Sequence, residues 1–442
     1  MTLIPPQGIV RRIYANLARL MGGKAGAGII SLAYMVIAAR ELGPADYGVL
    51  MLVHTFAMTI GGIIEFPGWH AIVRYGAEAL ETKDHDRLGR LLRFAGAVEL
   101  TGGVAAVLTA AVLGPMIGAR LGWSPAALAF ALPYSFAVLA SIRATPAGYL
   151  QLLGRFDLLG LHTMAAPLVR LIGAVIAAAL GLGLHNYLVA WLIAALVEWA
   201  ALWAIGLWVA RRQLGFLPLV GSMTGVTAEN EGIWRFMIGA NADVTVGELA
   251  ARVPPLLIGA TLGAAPVGLY SLAQRATSVL AVPAQVLGTA AYAELARLVA
   301  AGGHGAPLRS ALRQSLRIAI LASAPVVLIL LLFGRQVAVA LGGAAFAGAA
   351  GLLAWLTIAR VILLAGPPAS AALVALGRPL LSVAANVISA AATLPLLFLL
   401  LRRLGVTGAG WHALIQAAVA AGLLLFFVRR ESFRREQATE GP

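Results

Sequence analysis

The chain of 442 residues contains no cysteine. Disulfide staples, zinc–thiolate centres and thiol nucleophiles are therefore excluded. Charge is scarce as well. Asp, Glu, Lys and Arg make up 11% of the residues, against about 25% in a soluble globular protein. A water-soluble fold that poor in charge has too little polar surface to cover itself, which excludes a soluble enzyme and a disordered chain. The sequence also lacks a Gly-rich phosphate loop ending in Lys-Ser or Lys-Thr, so it is not expected to hydrolyse ATP. No cofactor or metal site is expected.

What is present is apolar: 61% of the residues are hydrophobic and 50 are glycine. In lipid, small residues let helix backbones approach closely. A spanning helix needs roughly 20 apolar residues, and a scan at that length predicts an all-α polytopic membrane protein of about 12 spans. They are Gly22–Leu42, Tyr47–Tyr75, Leu91–Ala119, Ala126–Leu150, Leu158–Leu182, Tyr187–Ala210, Phe236–Leu262, Val267–Ala296, Gln314–Phe333, Ala350–Leu376, Leu380–Leu401 and Gly408–Val428. With the N-terminus in the cytoplasm, 22 of the 32 basic residues fall on the cytoplasmic side. Arg40, Arg120, Arg335, Arg402 and Arg403 fall outside. By the positive-inside rule both termini are cytoplasmic and the number of spans is even. The net charge of +14 is thus assigned to topology and anionic headgroups, and not to nucleic acid.

The two halves read as repeats. Leu42-Gly43-Pro44-Ala45-Asp46-Tyr47-Gly48 follows the first span, and Leu262-Gly263-Ala264-Ala265-Pro266-Val267-Gly268 follows the seventh. Leu and both Gly match at one constant offset. Six spans in each half make the repeat parallel, so two six-helix lobes are expected to be related by a two-fold along the membrane normal. The expected divisions are a lobe over residues 1–212, a cytoplasmic linker over 213–233 and a second lobe over 234–442.

Ala38-Ala39-Arg40-Glu41-Leu42-Gly43-Pro44-Ala45-Asp46-Tyr47-Gly48, together with Leu262–Arg275, resembles the first extracytoplasmic turns of polysaccharide flippases. These form the O-antigen and exopolysaccharide branch of the multidrug/oligosaccharidyl-lipid/polysaccharide exporter superfamily. The resemblance implies a two-lobed transporter of the bacterial inner membrane. By alternating access it would flip a polyprenyl-pyrophosphate-linked oligosaccharide, in company with polysaccharide polymerase or assembly proteins. The twelve-helix count resembles this branch more than the lipid II flippase branch.

A charge in mid-bilayer costs at least about 2.5–3.5 kcal/mol, so it usually faces a cavity or a partner. On the seventh span Asn241, Thr245, Glu248 and Arg252 share one face, with Asp243 off it and Pro254-Pro255 expected to kink or break the helix. Glu248 and Arg252 are spaced to pair. The eighth span carries a polar stripe of Ser271, Gln274, Arg275, Ser278 and Gln285, the pattern of a water-filled lumen or of interhelical hydrogen bonding. Lys24, Arg143, Arg170, Arg252, Arg275 and Arg360 are the candidates for holding a diphosphate. Glu65, Asp243 and Glu248 are the candidates for coupling to H+ or Na+. His54 reads as a satisfied polar residue rather than a proton carrier. Glu99 and Glu198 stand as single charges in their spans. The cations barely outnumber the acids, so a multidrug/cation antiporter of the same superfamily remains open. A membrane glycan polymerase or ligase is disfavoured, because no large extracytoplasmic loop is present to hold an acceptor. Asp84-His85-Asp86 imitates a glycosyltransferase acid pair, but its neighbours Lys83 and Arg87 mark a solvated loop.

Overall fold

The computed structural model describes residues 6–64, 68–216, 218, 220–280, 295, 297–299 and 305–440, excepting the side chains of 6–19, 239–248, 250 and 437–440. Every regular element among them is helical. Among the described residues, eight stretches are long and apolar enough to cross a membrane: Leu20–Ile64, His85–Leu121, Phe156–Ala179, Leu184–Leu214, Ala306–Leu332, Ala344–Ala375, Pro379–Leu404 and Thr407–Glu436. The first holds two of the expected spans, because helix α1 (Pro6–Ile64) is interrupted at Gly43, whose φ of 67° and ψ of 176° are not helical. Pro44 follows it, and the pair turns the chain within one residue.

The other elements of the first half are α2 (Trp69–Glu81), α3 (His85–Ile117), α4 (Pro125–Ala129), α5 (Ala131–Tyr134), α6 (Ala144–Leu152), α7 (Phe156–His162), α8 (Ala165–Ala179), α9 (Leu184–Leu214) and α10 (Val226–Glu229). Helix α11 (Ile233–Leu262) and α12 (Ala264–Ser278) follow. Several expected spans are divided in the structure: besides the second and the fourth, the fifth is α7 and α8, and the tenth is two helices, Ala350–Leu363 and Gly366–Ala375. The second ends at Ile64, and Trp69–Tyr75 belongs to the separate helix α2. The fourth is not one helix. It is α4, α5, a 3-10 segment Ser135–Ser141 and α6, with a break at Ile142–Arg143. The seventh agrees with the expected span: α11 is one helix over Ile233–Leu262, with Pro254 and Pro255 inside it and no break.

Helix α3 shows how a membrane helix sorts its faces. Val104, Leu108, Val112 and Met116 are exposed, while Gly103, Ala106, Ala110 and Gly114 are buried. The large side chains point outward and the small ones admit neighbouring helices, the arrangement expected when the surrounding solvent is itself apolar.

The chain divides into two compact units, Met1–Leu42 with Val49–Arg252, and Gly43–Gly48 with Val253–Pro442. The core of the first gathers Ile72, Leu88, Leu92, Tyr149, Leu202 and Val209 from α2, α3, α6 and α9. The core of the second gathers Leu308, Leu312, Leu373, Leu376, Leu424 and Val428. Within the second unit the repeat becomes physical. Gly263 adopts φ 86° and ψ −175°, matching Gly43. A Cβ on Gly48 would overlap the carbonyl of Ala264, and a Cβ on Gly268 would overlap the carbonyl of Pro44. The two contacts are the same contact exchanged, since 44 and 264, like 48 and 268, are separated by the repeat offset.

Candidate functional site

Tyr34 lies nine residues before the turn at Gly43, and His54 eleven after it. At 1.5 Å per residue both sit roughly 15 Å from the turn, about half the thickness of a hydrocarbon core. Both meet Arg170, which α8 carries. One guanidinium nitrogen of Arg170 donates to the Tyr34 hydroxyl at 3.4 Å, and the other approaches Nε2 of His54 at 3.2 Å. Nδ1 of His54 is 3.0 Å from the hydroxyl of Tyr134, at the end of α5. The guanidinium also lies 5.9 Å from the ring centre of Tyr34 and 5.7 Å from that of Trp191 on α9. Those two rings meet edge to face at 5.3 Å. Tyr34, Tyr134 and Trp191 are buried, while Arg170 and His54 are half-buried. Arg252, on α11, is a second cation close enough to act on His54 electrostatically, and it donates to the carbonyl of Met58. Five helical segments thus place two guanidinium groups and a histidine in one aromatic-walled cluster. Among the described residues, no carboxylate pairs with His54 or Arg170. Aromatic faces hold a guanidinium without neutralising it, so its charge stays available to an anion.

A second constellation holds the break in the fourth span. The buried carboxylate of Glu99 on α3 accepts the backbone N–H of Ala144 and, at 2.6 Å, that of Thr145. It caps α6 at the end where unpaired amides and the helix dipole favour an anion. The indole N–H of Trp203 on α9 donates to the Ile142 carbonyl at 2.8 Å. Arg143 forms an ion pair with Glu198 of α9, and His162 reaches the Glu198 carbonyl at 2.7 Å. Irregular backbone at membrane depth is tolerated because these groups satisfy it.

Of the six cations expected to hold a diphosphate, Arg170 and Arg252 converge. Arg143 faces Glu198. Lys24 and Arg275 are exposed at other places, and half-buried Arg360 lies within electrostatic reach of buried Tyr270 in the second unit. Ser271, Gln274 and Ser278 are half-buried on α12, and Ser278 folds back to the Arg275 carbonyl at 2.6 Å. Glu65 and Gln285 lie outside the described residues, as do the side chains of Asn241, Asp243, Thr245 and Glu248. Sequence reasoning missed Tyr34, Tyr134 and Trp191. Their only sequence signal is a polar tip on an aromatic ring within a span, which needs a partner when buried.

The description of a polysaccharide biosynthesis protein family matches residues 13–294. The chain is 26% identical over 295 residues to inner membrane protein YghQ of Escherichia coli strain K12, covering 66% of this chain and 82% of that protein. Its fold is similar to an inward-facing multidrug resistance MATE family transporter of the MOP superfamily. There the TM-score is 0.69 at 16% identity, over 95% of each chain. It is also similar to the lipid II flippase MurJ in an inward closed conformation, with a TM-score of 0.67 at 12% identity over 95% of this chain and 90% of that one. Together with the spans and the two-unit helical architecture, these matches show a polytopic helical membrane protein with the fold shared by those two structures. The chain belongs to the polysaccharide biosynthesis protein family.

Proposed function

We propose that the chain is a flippase that moves a polyprenyl-diphosphate-linked oligosaccharide across the bacterial inner membrane. The observation that carries this reading is the Arg170–Arg252 cluster about His54 in the membrane-spanning part of the first unit. A diphosphate offers several anionic oxygens, and guanidinium groups donate to such oxygens in pairs. The buried rings of Tyr34 and Trp191 border the guanidinium of Arg170, and a less polar border strengthens each such bond. The lipid tail would stay in the bilayer while the headgroup passes, and alternating access of the halves 1–212 and 234–442 would carry it across. Both termini are proposed to be cytoplasmic, a reading the basic residues of the short connections support. Glu65, Asp243 and Glu248 are the proposed partners of H+ or Na+, and enzymes that build or polymerise the glycan are the proposed neighbours.

A multidrug/cation antiporter is the second reading, and the MATE-like fold supports it. Cation export calls for an acidic lumen, whereas the described cluster is basic. The two readings separate in proteoliposomes loaded with a short-chain polyprenyl-diphosphate disaccharide. Under the flippase reading, Arg170→Ala and Arg252→Ala each reduce translocation by about tenfold or more. Arg275→Ala tests the stripe on α12 in the same assay. Normal rates in both Arg170→Ala and Arg252→Ala would remove the cluster as the headgroup site. Proton-driven efflux of organic cations with no lipid transfer would favour the antiporter.

A further inference from the structure

We propose that His54 is a proton-binding residue that governs whether Arg170 is available to an anionic ligand. A guanidinium has only donors, so at the 3.2 Å contact Nε2 of His54 is the acceptor. The ring is then neutral and its proton sits on Nδ1, from which it donates to the Tyr134 hydroxyl at 3.0 Å. Both ring nitrogens are committed. The tautomer follows from the partners on either side.

Adding a proton to Nε2 turns this contact into two donors and two positive charges face to face. It cannot persist, and the guanidinium must leave the ring. It has somewhere to go: the Tyr34 hydroxyl at 3.4 Å and the faces of Tyr34 and Trp191 remain. Its Nε is buried without a partner, a spare donor. The reverse also holds. An anion that draws Arg170 off the ring uncovers the Nε2 lone pair, which then takes a proton from water. Proton and anion therefore assist each other, and by linkage the coupling is the same in either direction. Among the described residues, the other groups facing this site are Tyr34, Tyr134, Trp191 and Arg252. Of these and His54, the imidazole Nε2 is the atom whose lone pair the Arg170 contact covers, so the exchange turns on His54. Taking the anion to be a prenyl diphosphate rests on the function proposed above; the His54–Arg170 latch itself does not.

The test has two arms on the full chain in lipid nanodiscs. In the first, 15N-histidine spectra of ligand-free protein are compared with those of His54→Gln to pick out the His54 signals. The expected signal at pH 8 is the Nδ1–H tautomer, converting to imidazolium on acidification at a midpoint that moves in Arg170→Gln. An Nε2–H tautomer, or a titration indifferent to Arg170→Gln, would overturn the latch whatever the substrate. In the second arm geranylgeranyl diphosphate is titrated calorimetrically in buffers of different ionisation enthalpy. Wild type is expected to take up close to one more proton per bound ligand than His54→Gln, because the ligand's own protonation is common to both. Equal uptake in the two proteins overturns the coupling. If wild type binds no prenyl diphosphate while the first arm gives the expected tautomer, the substrate reading falls and the link to diphosphate falls with it. Loss of binding and loss of proton uptake are thereby told apart.

Discussion

The Glu198 side chain is 18% exposed and that of Arg143 40%, and the two carry opposite charges into the same span-to-span contact. Removing the guanidinium alone leaves a largely buried carboxylate without its partner, while removing both leaves neither charge behind. Arg143→Ala is therefore expected to lower stability by about 1–3 kcal/mol, moderated by the partial exposure of the pair. The double variant Arg143→Ala/Glu198→Ala should lose less than the sum of its parts. Thermal unfolding in detergent of the four proteins of this cycle measures it, and strict additivity would mean the charges are uncoupled. Glu99 is a stronger case, because its carboxylate holds two amides of α6. Glu99→Ala should lower the unfolding midpoint more than Thr101→Ala on the same helix, whose hydroxyl only bonds back to Ala97 and Val98. At this scale the sequence is a partial guide. That Arg143, Arg170 and Arg252 need something to face was legible from their place in apolar runs. What each one faces was not. Glu198 is 55 residues from Arg143, and His54 is 116 from Arg170. His54 was legible only as a polar residue in need of satisfaction. Its satisfaction by a cation, rather than by a carbonyl, gives it a chemical role.

Among the elements, the turn at Gly43-Pro44 and its counterpart at Gly263 were legible, because a Gly flanked by helix-compatible residues marks a required left-handed or extended conformation. The division of the fourth span was not. Its 3-10 winding and its break are held by Glu99 and Trp203, which belong to other helices, and no local pattern in residues 126–150 reports them. Pro254 and Pro255 signal a kink or a break, and the helix over Ile233–Leu262 contains them without a break. Tertiary surroundings decide the break in the fourth span. The glycine contacts make a sharper prediction. Gly48→Ala and Gly268→Ala each press a methyl group into a backbone carbonyl that has no rotamer with which to move aside. Each should destabilise by about 1–3 kcal/mol or more, and to a similar extent, since the contacts are exchanged copies. Gly28→Ala, in an α1 position with nothing near its Cβ, should be neutral or stabilise by up to about 1 kcal/mol. Comparable losses at all three positions would point to a general intolerance of the membrane helices and not to the carbonyl contacts.

Taken whole, the molecule assigns the segment between its sequence halves to one side. Arg90 pairs with Glu229 at 2.7 Å, Arg87 donates to the Glu229 carbonyl at 3.0 Å, and Arg93 donates to the Ser222 carbonyl at 3.1 Å. Tyr75 adds a bond to the Glu231 carbonyl at 3.2 Å, and Phe216 lies beneath Arg93. Three arginines at i, i+3 and i+6 on α3 thus clamp the connection to the first unit. An engineered protease site at residues 222–225 should be cut slowly in the wild-type background. It should be cut about tenfold faster in Arg90→Ala/Arg93→Ala, and the difference should shrink as salt screens the exposed pairs. Equal cutting rates would mean the clamp does not hold in solution.

The reciprocal glycine contact also bears on whether the protein can be taken apart. Gly43–Gly48, drawn from the first half of the chain, is grouped with Val253–Pro442. A gene split at the connection would therefore yield two unequal pieces. The C-terminal piece would lack six residues of its own packing, while the N-terminal piece would carry them without their neighbours. Each half is lender or borrower to the other, so the two are expected to be recovered together or not at all. The same reciprocity would resist drift: a duplicated chain can diverge freely where its copies do not touch, but a residue whose neighbour is its own counterpart must be replaced in step with it.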